Sequence, residues 1–353
     1  MQIVELTESR TAEYTQFIQR DPQALFVYSD TWRRLLVDYL QHESRYLVAL
    51  DQNDSICGAL PTFLCRNDTF GNVLNSLPYF GSHGGVVEHD GNTDVRRALL
   101  QAFRELADAE RCSTATLIAS PHDTCAPLYE EAFPDALHDE RIGQITALPD
   151  DASMASLFAR FHYKTRNMIR KAEKQDVSVH VDNSPEALEF LVRVHHENMH
   201  AIGGTAKELR FFETIRSTCL PGGDYRIYVA THGGQRVAAV LLFYYQKTVE
   251  YFTPVVQAEF RSMQPLSLAI ATAMHDAGQE GYRWWNWGGT WLSQEGVYRF
   301  KSRWGTSDFP YRYHTTVLND DFVKLDRSEL LAAYPGFYTF PFHAVPEAAH
   351  VAS

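Results

Sequence analysis

Cysteine, long apolar runs, glycine-rich phosphate loops and positive charge are all scarce in this chain of 353 residues. Its five cysteines, Cys57, Cys65, Cys112, Cys125 and Cys219, are odd in number and scattered without CxxC spacing. That argues against a disulfide framework or a zinc ribbon and fits a reducing compartment. No apolar stretch approaches the ~20 residues of a membrane helix. The opening MQIVELTESR has neither the basic nor the apolar part of a secretory signal. The expected location is the cytoplasm, with no membrane span. A formal charge of -12 argues against a general nucleic-acid surface, because phosphate backbones are held by clustered Lys and Arg. GxSxG, the Walker loop and GxGxxG are missing too, so neither a serine-hydrolase elbow nor a nucleotide fingerprint is present.

What is present is core material and an internal repeat. With 45% hydrophobic residues the chain can fill two ordinary domains. RYLVALDQNDSICGALPTFL, from Arg45, aligns without a gap on RIYVATHGGQRVAAVLLFYY, from Arg226. Each copy predicts strand, polar turn, longer strand: Tyr46 to Leu50 and Ile56 to Leu64, then Ile227 to Ala230 and Val237 to Tyr245. A helix follows in each, Val95 to Ala109 and Pro265 to Gly278, and then a strand, Thr114 to Ala119 and Arg283 to Trp287. The expected class is α/β, in two units divided near Pro149-Asp150-Asp151: residues 1–150 and 151–353. Ser184-Pro185-Glu186 marks a helix start, with serine at the N-cap and proline in the first turn.

Tyr282 to Gly305 holds five of the six tryptophans, Gly288-Gly289 and one lysine, Lys301. Trp284, Trp285 and Trp287 predict a strand that stops at the glycines, and Glu295 to Arg303 a helix carrying Tyr298, Phe300 and Lys301. Aromatic walls with one amine suit a charged, flat or extended ligand; a tryptophan-rich core strand with a solvated lysine has the same pattern. Lys164, Lys171 and Lys174 share one side of a predicted helix, with Arg166 and Arg170 on the other. Either group could hold a phosphate or simply be solvated. The turn Leu77 to Gly85, with Tyr79 in it, brings three glycines that either admit a ligand or close a hairpin. His196-Glu197-Asn198-Met199-His200 is HExxH, in which two histidines on one helix face could bind zinc and Glu197 activate water, but no third ligand is recognisable downstream.

Three of these pieces, LPYFGSHGG, KTRNMIRKAEKQDVSV and GYRWWNWGG followed by YRFKSRWG, together resemble the Fem-type aminoacyl and acyl transferases, which are built from two GNAT-like units. The resemblance implies two tandem units, each a mixed, mostly antiparallel sheet flanked by helices, with the transfer site in the second. It implies an acyltransferase that moves an acyl or aminoacyl group from a carrier to a primary amine, with no metal and no permanently bound cofactor. Lys301 would then neutralise developing charge or the donor's phosphates, with Phe300 beside it. Trp285, Trp287, Gly288, Gly289, Arg261, Tyr298, Tyr79 and Trp32 would contact substrate, and Lys164, Arg166, Arg170 and Lys171 would hold phosphates.

The departures narrow the acceptor. Leu36 stands where muropeptide-modifying relatives carry a lysine, Ala201 and Ile202 where they carry an arginine, and Ser262 and Met263 in place of tyrosines. The standard peptidoglycan precursor is therefore not the expected acceptor; a small peptide, amino sugar or natural-product intermediate is. For the donor, the stretch Glu259 to Pro265 has no glycine cradle for acyl-CoA, so aminoacyl-tRNA, held by its acceptor end, is preferred. A zinc hydrolase and a non-catalytic ligand-binding protein are the competing readings, and nothing in the sequence speaks to oligomeric state.

Overall fold

The computed structural model of the protein describes residues 1–79, 83–123 and 125–344. By compactness the chain forms two units: residues 1–21, 27–142 and from 309 on make the first, and residues 22–26 and 143–308 the second. This differs from a division at 150. The strand Leu137–Ala147 passes from the first unit to the second at Gly143, and the strand Ser307–Val317 leads back, pairing with a first-unit strand along Tyr313 to Val317. The C-terminal region, expected in the second unit, thus belongs to the first.

In the first unit β1 (Gln2–Glu5), β3 (Leu47–Leu50) and β4 (Ile56–Leu60) form an antiparallel sheet in the order β1-β3-β4. A second sheet there runs β2 (Glu43–Ser44), β5 (Phe63–Cys65), β6 (Asn72–Asn75), β7 (Cys112–Ile118), then Ser307–Val317. The stretch Ile56 to Leu64, expected as one strand, is broken by Pro61, which lacks the N–H a ladder needs; its halves lie in different sheets. Helices α1 (Thr11–Ile18), α2 (Asp30–Leu40), α3 (Thr93–Ala109) and α4 (Ala126–Ala132) belong to this unit. Parallel β6 and β7 are joined through α3, which buries Val95, Leu99, Leu100, Phe103 and Ala107, the stripe that helical spacing dictates.

The second unit repeats that plan. Its strands follow the order β8-β13-β12-β11-β10-β9, from β8 (Leu137–Ala147), β9 (Ser178–Val181), β10 (Tyr225–His232), β11 (Gln235–Tyr245), β12 (Thr248–Val256) and β13 (Trp284–Trp291). From β9 to β12 neighbours are antiparallel, whereas β12 and β13 are parallel and joined through a helix. Helices α5 (Met154–Arg160), α6 (Tyr163–Glu173), α7 (Pro185–His200), α8 (Leu209–Thr218), α9 (Pro265–Gln279) and α10 (Glu295–Ser302) complete it. Ser184 caps α7 as its sequence dictates, its hydroxyl accepting from Ala187 N–H. One core joins Ile169 and Ala172 of α6, Ala269, Ile270 and Met274 of α9, and Trp285, Trp287 and Trp304.

Candidate active site

A parallel pair that separates offers backbone groups to a ligand at the ends of its strands. In the second unit β12 and β13 pair only at Thr248 with Trp284, Val249 with Trp285 and Glu250 with Asn286. Beyond that rung β12 continues to Val256 and β13 to Trp291 without pairing to each other. A bulge at Phe252 turns β12 further: Leu241 lies opposite Thr253 and Leu242 opposite Tyr251, with Phe252 as the extra residue between them.

Gly288 and Gly289 lie on the β13 side of this opening. The strand does not stop at them as expected but runs on to Trp291, because Gly288 absorbs a φ of 71° that a side chain would resist. Lys301, on α10, is only 6% exposed. Its Nζ donates to the Gly289 carbonyl at 3.2 Å, to the Gly288 carbonyl at 3.4 Å and to Thr290 Oγ1 at 2.8 Å. Burial pushes its ammonium down to about 8. It is thus no solvated cation but a buried amine that ties helix to strand beside the opening. Thr290 Oγ1 in turn contacts Gln144 Oε1 at 3.4 Å.

The other expected site residues divide by burial. Trp285 and Trp287 are core side chains, and Trp287 Nε1 donates to Thr146 Oγ1 at 3.0 Å. Half-buried Phe300 packs edge-on against Trp287 and Trp304. Tyr298 donates to Asp308 at 2.6 Å. Arg261 is exposed on the turn Ala258–Met263, which packs against α6. Lys164, Arg170, Lys171 and Lys174 are exposed, but Arg166 folds back to donate to the carbonyls of Phe158 and Phe161 at 3.2 and 2.8 Å. It therefore closes the end of α5 rather than joining a phosphate-binding group. Trp32 and Tyr79 belong to the first unit and are buried there; Tyr79 packs on Tyr39. Of the glycine turn, Phe80, Gly81 and Ser82 lie outside the described residues. Gly84 and Gly85 serve close packing: a Cβ would come within 2.7 Å of Ser76 Oγ at the first and 2.8 Å of the Tyr129 hydroxyl at the second.

The HExxH histidines do not converge. His196 Nε2 meets the Lys207 carbonyl at 2.9 Å, Glu197 pairs with Arg193 at 2.7 Å, and His200 is exposed. Among the described residues no group of three His, Cys, Asp or Glu could hold a metal. Asn198, between them, has a role the motif hid: its amide donates to the Val256 carbonyl at 3.0 Å and accepts Val256 N–H at 3.1 Å, replacing a strand neighbour at the end of β12. Glu250 was also missed. It is buried at the last shared rung and accepts Phe26 N–H. A lone acid inside the apolar strand TVEYFTPVV was its sequence signal.

Residues 159–302 match the family model for the acetyltransferase (GNAT) domain. No curated protein sequence matches the chain. Among solved structures, FemX is 15% identical, with 88% of this chain and 97% of that chain covered and a TM-score of 0.69. The C-terminal domain of a putative lysylphosphatidylglycerol synthetase from Agrobacterium fabrum is 11% identical, covering 87% of this chain and 91% of its own at a TM-score of 0.57. A tandem GNAT protein from the clavulanic acid biosynthesis pathway is 13% identical, covering 89% and 98% at a TM-score of 0.50. At these identities the structural likeness is one of fold. Residues 159–302 thus carry an acetyltransferase (GNAT) domain, and the chain as a whole has the fold of FemX and of the tandem GNAT protein.

Proposed function

We propose that the chain transfers an aminoacyl group from aminoacyl-tRNA to the primary amine of a small peptide, amino sugar or natural-product intermediate, at the opening between β12 and β13. In this reaction the acceptor nitrogen attacks the carbonyl carbon of the donor ester. The N–C bond forms, the C–O bond to the ribose breaks, the amine gives up a proton and the ribose oxygen takes one. No enzyme nucleophile is required, so positioning and charge do the work. The observation that carries the reading is that the parallel strands part where Lys301 holds the carbonyls of Gly288 and Gly289. Lys301 shapes that wall, and its charge favours the oxyanion that forms on the donor carbonyl.

The donor preference follows from α9. Pro265 at its first turn has no N–H, while Gln264 N–H is taken by the Arg261 carbonyl and Ser267 N–H by the Gln264 carbonyl. Little remains to cradle the pyrophosphate of acyl-CoA, the alternative donor. From Met154 to Gln175 the chain carries six cations, Arg160, Lys164, Arg166, Arg170, Lys171 and Lys174, against one acid, Glu173. With Arg166 spent on carbonyls, the exposed ones on α6 suit the acceptor end of a tRNA. The clavulanic acid pathway neighbour favours including natural-product intermediates among the acceptors.

Transfer from charged tRNA and from acyl-CoA to a panel of amines tests this directly. Lys301→Ala is expected to lower turnover about 100-fold, the scale of losing one charge-stabilising group. Unchanged turnover would remove the opening as the transfer centre, and transfer from acyl-CoA alone would reverse the donor assignment.

A further inference from the structure

The two adjacent histidines of α7, which look like part of a metal motif, do something else. Both grip the backbone of one residue in the connection between α7 and α8. Lys207 N–H donates to His195 Nε2 at 2.9 Å, and His196 Nε2 lies 2.9 Å from the Lys207 carbonyl. These contacts require opposite tautomers: His195 must carry its proton on Nδ1 to accept, and His196 must carry one on Nε2 to donate. His195 is buried, and desolvation with the nearby charges of Lys207 and His196 pushes it down to about 4, so it stays a neutral acceptor at ordinary pH.

The residue so held lies against the part of β12 that has left β13. Lys207 Nζ sits 4.9 Å from the centroid of the Phe252 ring, the bulged residue two positions past the last rung that β12 shares with β13. Phe252 faces Phe211 of α8 and Phe243 at 5.8 and 4.9 Å, whereas its neighbour Tyr251 packs on Trp287 and Trp285 over α9. Lys207 therefore lies on the α7 and α8 face of β12. Lys301 lies on the β13 side, donating to the carbonyls of Gly288 and Gly289. Burial lowers the Lys207 ammonium to about 8, as it does that of Lys301. A strand opening with an amine on each side favours a ligand that carries negative charge.

We infer that Lys207, held by His195 and His196, is a specificity-determining residue that selects amine acceptors bearing an anionic group, carboxylate or phosphate. His195 and His196 are then positioning residues. This rests on the opening being the acceptor site, but binding without a donor tests it apart from transfer. Calorimetry would compare two matched pairs of amines: alanyl-alanine with its C-terminal amide, and glucosamine phosphate with glucosamine. The native protein is expected to bind one anionic member at least about tenfold more tightly than its neutral partner; which pair shows the preference separates carboxylate from phosphate.

Lys207→Met should erase that preference, Lys207→Arg should keep part of it, and His196→Ala should weaken it while the melting temperature reports on folding. Lys207→Gln serves as a second neutral variant should the methionine variant fail to fold. No preference in the native protein, or a preference that survives both neutral substitutions, overturns the assignment. A neutral variant that lowers melting temperature but leaves the preference intact shows Lys207 to be structural only. Failure of transfer with any donor, alongside an intact Lys207-dependent preference, would strike the proposed reaction and not this site.

Discussion

Lys301→Met isolates the energetic consequence of burying an amine beside the opening. Burial pushes the ammonium down to about 8 in the folded chain, against about 10.4 in an unfolded one. Because the folded value is depressed, the unfolded state binds more protons between these limits, and stability rises with pH across that window. At pH 7 the buried charge costs about 3 kcal/mol, and at pH 9.5 about 1 kcal/mol, a difference of about 2 kcal/mol. Methionine fills a similar volume and does not titrate. It also leaves the Gly288 and Gly289 carbonyls and Thr290 without their donor, but that loss is the same at both pH values. Urea unfolding of the native protein and the variant at the two pH values should therefore show the native protein gaining about 2 kcal/mol on the variant as pH rises. If the two stabilities move in parallel to within about 0.5 kcal/mol, Lys301 is not buried as a charge and the reasoning about its role fails. In the same variant turnover should collapse even where stability at pH 7 is little changed, the pattern of a group kept for function at the expense of stability. Native turnover should decline above about pH 8 as Lys301 loses its proton.

Other substitutions separate structure from recognition. Asn198→Leu strips both backbone groups of Val256 of their partner and should cost about 2 kcal/mol or more, with faster amide exchange at Val256; unaltered exchange would show that the end of β12 does not depend on Asn198. Arg166→Ala removes two charged hydrogen bonds to carbonyls and should lower stability by about 2 kcal/mol. Lys164→Ala and Lys171→Ala, on exposed positions, should change stability by less than about 0.5 kcal/mol yet weaken tRNA binding in a salt-dependent way; equal effects from all three would erase that distinction. Glu197→Gln breaks one exposed ion pair on α7 and should cost about 0.5 kcal/mol or less with transfer intact, whereas lost activity restored by zinc would revive the HExxH motif.

The sequence by itself determined the local structure and the repeat. The hairpin Tyr225–Tyr245, the capped start of α7 at Ser184, the helix at Pro265 and the helix carrying Lys301 follow from alternation, N-cap chemistry and helical spacing, which act between near neighbours. The LPYFGSHGG, WWNWGG and YRFKSRWG runs carried the resemblance to the Fem-type fold, a fold that FemX shares. Tertiary structure decided the burial and partner of each polar group. Lys301 and Lys171 are both lysines on helices, yet one amine is sealed against Gly289 and Thr290 and the other is exposed. Arg166 and Arg170 share a helix side by periodicity, but Arg166 donates to the carbonyls of Phe158 and Phe161 while Arg170 is exposed. The zinc-like spacing on α7 put His196 near His200, and the fold gave His196 to Lys207 and Asn198 to Val256. Those outcomes depend on which distant strand or loop lies opposite, so spacing along the chain does not contain them. The parting of β12 from β13 is of the same kind, since it exists only once α9 has carried the chain back alongside a strand it left some thirty residues earlier.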